Sequence, residues 1–171
     1  AGPGVDLPRA LADLEALCRL SSPAEDPAGQ QATARALVQA CTARGLRVTL
    51  REDAAARPVL EAETPEPTVG PRLLLVGHLD TVLPARPLRR DGDRLFGSGA
   101  LDMKAGLVAG LAALDLLRAR GRPLPPLRLV VVADEETSGE ASAAVMDEQG
   151  PSARAILVLE PGGRQGGDET V

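Results

Sequence analysis

One histidine stands in the 171 residues of this sequence, two positions before an aspartate, in Gly77-His78-Leu79-Asp80. Three other acidic places could share its chemistry: Asp102 in Asp102-Met103-Lys104, the run Asp134-Glu135-Glu136, and Glu160 before Pro161-Gly162. Gathered at one point, Asp80, Asp102, Glu135, Glu136 and Glu160 would repel one another and raise one another's pKa values. Burying such charge without partners is prohibitive. No comparable group of Lys or Arg accompanies them, and Lys104 is the one candidate to neutralise the cluster. Divalent cations would resolve the conflict. One imidazole with several carboxylates suits zinc (Zn2+), and also Mn2+ or Co2+.

Each residue alone has a plainer explanation. His78 could be a structural or surface histidine, the DEE run a solvated turn, Glu160 a turn residue and Asp102 the N-cap of the helix it precedes. The conjunction argues otherwise, because three of these places directly follow apolar runs that read as buried strands. These are residues 73–76 (LLLV), 127–133 (LRLVVVA) and 155–159 (AILVL). In open α/β sheets, ligands bind beyond the carboxyl ends of the strands. An Asp two residues after a His also suits the carboxylate that orients a ligating imidazole.

The elements needed to hold such a site alternate along the chain. Asp6-Leu7-Pro8 reads as a helix start, with Leu11, Leu14, Leu17 and Leu20 on one face. Asp26-Pro27 repeats the signal, and Ala34, Leu37, Val38 and Cys41 carry a second amphipathic helix ended by Gly45. Residues 46–51 (LRVTLR) alternate as a half-buried strand, with residues 58–62 available to pair. Residues 64–71 read as a polar, proline-rich turn. Residues 103–120 read as a long helix, apolar on nearly every face and therefore packed against a sheet. Residues 140–148 make a shorter helix. Helices between apolar strands imply an α/β fold with a mostly parallel sheet flanked by helices. The segment Gly97-Ser98-Gly99-Ala100-Leu101-Asp102 only superficially resembles a dinucleotide-binding fingerprint, since no buried strand precedes it. Its glycines instead let a loop approach closely while Asp102 points into the site.

Composition narrows the partners. With one aromatic residue and a net charge of −5, a base-stacking nucleic-acid groove is not expected. The basic stretch 86–94 (RPLRRDGDR) is interrupted by Asp91 and Asp93 and reads as a solvated turn. No apolar run approaches the roughly 18 residues of a membrane span. Cys18 and Cys41 lack metal-binding spacing and read as buried reduced thiols, which favours a cytoplasmic protein.

The strings GHLDTV (77–82), GSGALDMKAG (97–106), DEETSG (134–139) and LEPGG (159–163) resemble, in order and spacing, the di-zinc amidohydrolases and exopeptidases. That family includes acetylornithine deacetylase, succinyl-diaminopimelate desuccinylase, aminoacylase and glutamate carboxypeptidase, and the motifs look closest to the last branch. The resemblance implies that His78, Asp102 and Glu160 hold one metal, that Asp102 bridges to a second, and that Glu136 binds the second. It also implies that Asp80 orients His78 and that Glu135 is the general base acting on a bridging water. Two such metals sit about 3.5–4 Å apart and polarise the scissile carbonyl.

By the same resemblance, the second metal takes a histidine from late in the chain. Another histidine, which stabilises the tetrahedral intermediate, and an arginine for the substrate carboxylate lie on an inserted lid or dimerisation domain. None of these occurs here. Residues 1–163 are therefore expected to be the N-terminal part of a zinc-dependent exopeptidase-like catalytic domain, truncated before that lid. Residues 164–171 would begin a linker. The implied activity is hydrolysis of amide bonds in N-acyl amino acids or small peptides, with homodimerisation through the lid. The alternative is a catalytically incomplete fragment that keeps the fold and at most partial metal binding.

Overall fold

The structure, a computed structural model, describes residues 2–65 and 71–162. Helix α1 spans Leu7–Cys18 and α2 Pro27–Thr42. Both start as their Asp-Pro signals require. The Asp6 carboxylate accepts the N–H of Arg9 at 3.1 Å and Asp26 that of Gly29 at 2.8 Å, caps of a kind worth roughly 1 kcal/mol each. After α2 the chain turns through Gly45 at φ 64°, a left-handed conformation that glycine adopts without a Cβ penalty. Next come β1 (Arg47–Glu52), β2 (Pro58–Glu63), β3 (Arg72–His78), a small hairpin of β4 (Arg89–Asp91) and β5 (Arg94–Phe96), and α3 (Lys104–Ala119). The chain continues with β6 (Leu127–Val132), α4 (Glu140–Gln149), a single 3-10 turn (Gly150–Ser152) and β7 (Ala153–Val158).

Five strands form one sheet in the order β1-β2-β6-β3-β7. The three strands that lead to the acidic motifs, β6, β3 and β7, are mutually parallel, while β1 and β2 extend the sheet antiparallel. Alternate side chains of β3 and β6 feed two cores. Leu75, Leu127, Leu129 and Val131 pack with Leu17, Leu37, Leu107 and Leu111 under α1, α2 and α3. Leu74, Val76, Val130 and Val132 pack with Ala141 and Val145 of α4 on the other face. Burial on both faces is why these strands read as unbroken apolar runs. Behind the sheet, buried Arg44 donates to Asp13 at 2.6 Å and Asp115 at 2.8 Å, tying together the end of α2, α1 and α3.

Three expectations need correction. Residues 155–159 are not a buried strand. Leu157 is 51% and Val158 60% exposed, because among the described residues β7 is the outermost strand and only Ala153 and Leu159 of this stretch join the cores. An apolar run signals that a surface is meant to be covered, not which residues cover it. The expected half-buried strand at 46–51 is buried only at its start, since Leu46 and Val48 join the core while Leu50 on the edge strand β1 is exposed. The basic stretch is exposed as expected, yet it is an ordered hairpin, with the Arg89 guanidinium 3.9 Å from the centre of the Phe96 ring. The expected turn at 64–71 and the expected linker at 164–171 fall, in large part and entirely, outside the described residues. Cys18 and Cys41 are free and buried. Among the described residues no helix is long and apolar enough to cross a membrane.

Candidate metal centre

The carboxyl ends of the three parallel strands converge as open-sheet geometry requires. His78 ends β3, and its ring is almost fully buried. The next N–H, that of Leu79, donates to Val132 O at 2.9 Å, and the N–H of Leu159 donates to Val76 O at 2.9 Å. These two bonds hold the ends of β6 and β7 level with β3. Gly77 is needed just before the histidine because a Cβ there would lie 2.7 Å from Leu107 and 2.8 Å from Met103. The buried Met103 sulfur, in turn, accepts the N–H of His78 at 3.0 Å.

Around His78 Nε2 lie Glu160 Oε1 at 3.1 Å, Asp102 Oδ1 at 3.2 Å and Glu135 Oε2 at 3.7 Å. Two sets of donor atoms lie within 4.8 Å of one another: His78, Asp102 and Glu136, and His78, Glu135 and Glu160. On the other side of the ring, Nδ1 is 3.0 Å from the Asp80 carbonyl and 3.3 Å from Asp80 Oδ1. One Nδ1 proton cannot serve both fully. The nearer carbonyl takes the hydrogen bond, and the carboxylate acts on the ring through its charge. Asp80 Oδ2 accepts the backbone N–H of Glu136 at 3.0 Å, while Oδ1 is buried with no hydrogen-bond partner among the described residues.

All six residues singled out by the sequence therefore stand together: His78, Asp80, Asp102, Glu135, Glu136 and Glu160. Their exposure is uneven. His78 and Asp80 form a buried floor, whereas the Asp102 and Glu135 side chains are 58% and 50% exposed. Asp102 is not an N-cap, since Met103 takes that position and no side chain caps α3. The glycines before it work through close approach. A Cβ on Gly99, whose φ is 73°, would meet Lys104 at 2.9 Å and Thr81 at 3.0 Å.

The electrostatics fit a cationic occupant. Burial alone would push the His78 pKa down, but the adjacent Asp80 carboxylate and the charges of Glu160 and Glu135 raise it to about 9. Burial raises Glu160 to about 6 against the pull of His78, with Asp102 and Glu135 adding to the rise. Burial, then the charge of Asp102, raises Glu136 as well. Protons are thus drawn to a cluster that carries too much negative charge. Lys104 does not relieve it. Its buried ammonium points away and donates to Leu17 O at 3.1 Å and Leu20 O at 2.9 Å, and burial lowers its pKa to about 8. The one cationic candidate the sequence offered therefore leaves the acids unneutralised. One imidazole ringed by carboxylates, with an orphaned buried carboxylate oxygen beneath it, is a donor set that fits divalent cations.

Other polar residues of the assembly escaped sequence reasoning. Asp134, the first residue of the DEE run, turns away from the cluster. Its carboxylate accepts from Ala141 N at 2.7 Å and from the hydroxyls of Ser138 and Ser142 at 3.3 Å, and pairs with Arg57 at 3.3 Å. It anchors α4 rather than the site. Gln30 donates to Ala133 O at 3.2 Å, immediately before the run, and Ser22 donates to Leu79 O at 2.7 Å. Gln30 shares the apolar face of Ala34, Leu37 and Cys41, and a polar residue at that phase was the available signal.

The sequence pattern of peptidase family M20/M25/M40 matches residues 74–171, and the chain belongs to this family. Among curated relatives, a probable carboxypeptidase of Aspergillus terreus is 38% identical over 103 residues, covering 55% of this chain and 23% of that protein. Carboxypeptidase G2 of a Pseudomonas species is 34% identical over 106 residues, covering 58% and 25%. The chain thus spans about a quarter of the length of these relatives. Among solved structures, an M20 family metallo-carboxypeptidase from Sulfolobus solfataricus superposes with a TM-score of 0.73 at 22% identity, over 88% of this chain and 37% of that one. Aminopeptidase PepT from Bacillus cereus gives 0.74 at 21% identity, over 93% and 44%. These two likenesses bear out the fold.

Proposed function

We propose that the protein containing this chain is a metal-dependent hydrolase of amide bonds in N-acyl amino acids or small peptides, of carboxypeptidase or deacylase type. The observation that carries the reading is the convergence of His78, Asp102, Glu135, Glu136 and Glu160, from which the nearby Lys104 ammonium is turned away to backbone carbonyls. On this reading His78, Asp102 and Glu160 hold one zinc ion, and Asp102 and Glu136 share in holding a second, with Co2+ or Mn2+ as substitutes. When bound, such a pair of cations supplies Lewis acidity, polarising a carbonyl and acidifying water. Asp80 fixes the ring of His78 from below. Glu135, half exposed beside the cluster, takes the proton of the attacking water on a carboxylate oxygen and returns it to the departing amine nitrogen.

For the 171-residue chain alone, a second reading is favoured by one observation: His78 is its sole histidine. Here the chain keeps the fold and binds metal partially, without full turnover. The remaining metal ligand, the oxyanion histidine, the contacts that read the substrate and any dimer surface would come from the rest of the protein. Two free, buried cysteines accord with a cytoplasmic location.

The test pairs metal analysis of the full-length protein with assays on N-acyl amino acids and dipeptides. The expected result is about two metals per chain and amide hydrolysis abolished by chelation and restored by zinc. A full-length protein that binds no divalent metal, or hydrolyses equally well without it, overturns the reading.

A further inference from the structure

The turn after α1 reaches two of the segments that form the cluster. Toward one, Lys104 extends its ammonium to Leu17 O and Leu20 O. Leu17 lies in the last turn of α1 and Leu20 two residues beyond its end, and near a helix C-terminus a cation is favoured by the dipole. Lys104 is two residues from Asp102, and both Met103 and Lys104 are almost wholly buried. The stretch from Asp102 into α3 therefore has little freedom except through this anchor. Toward the other, Ser22 donates to Leu79 O at 2.7 Å and its own carbonyl accepts the N–H of Thr81 at 3.2 Å. Those two bonds enclose Asp80 and follow His78. Residues 17–22 thus span the gap between the His78–Asp80 segment and the Asp102 segment.

A lysine with 1% exposure is costly to bury unless its donors are satisfied. Nothing in the packing of α1 against α3 calls for a cation there, since apolar side chains of both helices already meet in the same core. We propose that the turn at residues 17–22 is a bracket for the metal centre, with Lys104 and Ser22 as positioning residues that set the separation of Asp102 from His78. The inference rests on the metal-centre reading above. Neither residue touches the donor atoms; each acts through the backbone that carries them.

The test uses the full-length protein as wild type, K104M, K104R and S22A, with Arg44→Lys as a control for a buried cation far from the cluster. Zinc affinity is measured by chelator competition, ligand geometry by the visible absorption of the cobalt-loaded protein, and stability by thermal denaturation without metal. K104M is expected to bind zinc about 10–100-fold more weakly, the usual effect of disturbing groups behind metal ligands, with an altered cobalt spectrum. K104R recovers most of the affinity. S22A, a small change that keeps the fold, weakens binding several-fold and decides the matter even if K104M does not fold. Arg44→Lys lowers the denaturation temperature and leaves zinc affinity unchanged. Wild-type affinity and cobalt spectrum in S22A, or in a folded K104M, overturn the bracket while leaving the metal centre standing. A wild-type protein that retains no divalent metal overturns both.

Discussion

Asp80 accepts the backbone N–H of Glu136 on its Oδ2, 3.0 Å away, so one buried carboxylate ties the end of β3 to the turn after β6. Its other oxygen faces the imidazole of His78 at 3.3 Å. Asp80→Asn separates these two duties. The amide oxygen can still accept from Glu136 and the backbone carbonyl of residue 80 still accepts from Nδ1, so what is lost is the negative charge 3.3 Å from the ring, which makes Nε2 a weaker metal ligand. The expected outcome is a folded protein with zinc affinity lowered about 10–100-fold. Asp80→Ala loses both contacts and costs roughly 1–3 kcal/mol in addition. Chelator competition beside denaturant unfolding checks both, and wild-type zinc affinity in Asp80→Asn would refute the orienting role.

Glu135→Gln removes a proton acceptor and keeps the side-chain shape. In the full-length protein kcat should fall by about 10²–10⁴, the usual contribution of a general base, while metal content stays at the wild-type value. Unchanged kcat would mean that another group moves the proton. Metal loss in this variant would instead assign Glu135 to the ligands.

Gly106 and Gly110 both face Leu159, the residue before Glu160, but through different atoms. A Cβ on Gly106 would lie 1.8 Å from the Leu159 carbonyl oxygen, whereas one on Gly110 would lie 3.3 Å from a terminal methyl of the side chain. Backbone cannot rotate aside as a methyl can. Gly106→Ala is therefore expected to destabilise by about 1–3 kcal/mol or more and to weaken zinc binding by shifting Glu160. Gly110→Ala should be nearly neutral, because the gain in helix propensity offsets a small adjustment. Thermal denaturation and zinc affinity of the two variants test this contrast directly.

Glu63, at the opposite end of the sheet, sets a limit on acid stability. Burial pushes its carboxyl upward, but hydrogen bonds from Arg47, Arg128 and Arg72 outweigh this and hold it at about 2 against an ordinary 4.5. A carboxyl whose folded pKa is depressed stabilises the fold above its unfolded pKa. That contribution is lost as pH falls from about 4.5 through 2. Glu63→Gln should lower stability at neutral pH and flatten its pH dependence across that window. An acid limb as steep as that of the wild type would place the effect elsewhere.

Much of this assembly was legible from local pattern. The Asp-Pro helix starts, the apolar runs of β3 and β6 and the polar residues at their ends all follow from short-range rules, and those rules put six residues at one place. What was not legible depended on neighbours distant in sequence. Nothing in AILVL says that β7 is the outermost of the described strands. Nothing in DMK says that the lysine turns back to α1, because the acceptors at Leu17 and Leu20 are carbonyls, which leave no mark in a sequence. Asp134 and Glu135 are adjacent yet face opposite ways, a consequence of leaving a strand whose side chains alternate. The β4–β5 hairpin hid inside a stretch whose charges suggested only solvation.

The strand order has a consequence for how the protein is made. Strands β3 and β6 lie side by side and come earlier in the chain, while β7 follows both and lies on the other side of β3. During synthesis His78, Asp102, Glu135 and Glu136 leave the ribosome before Glu160, and domains take shape in that direction. The nascent cluster is therefore an open cup until β7 docks and swings Glu160 against the imidazole. An ion held by both His78 and Glu160 would have to wait for β7 to pair with β3.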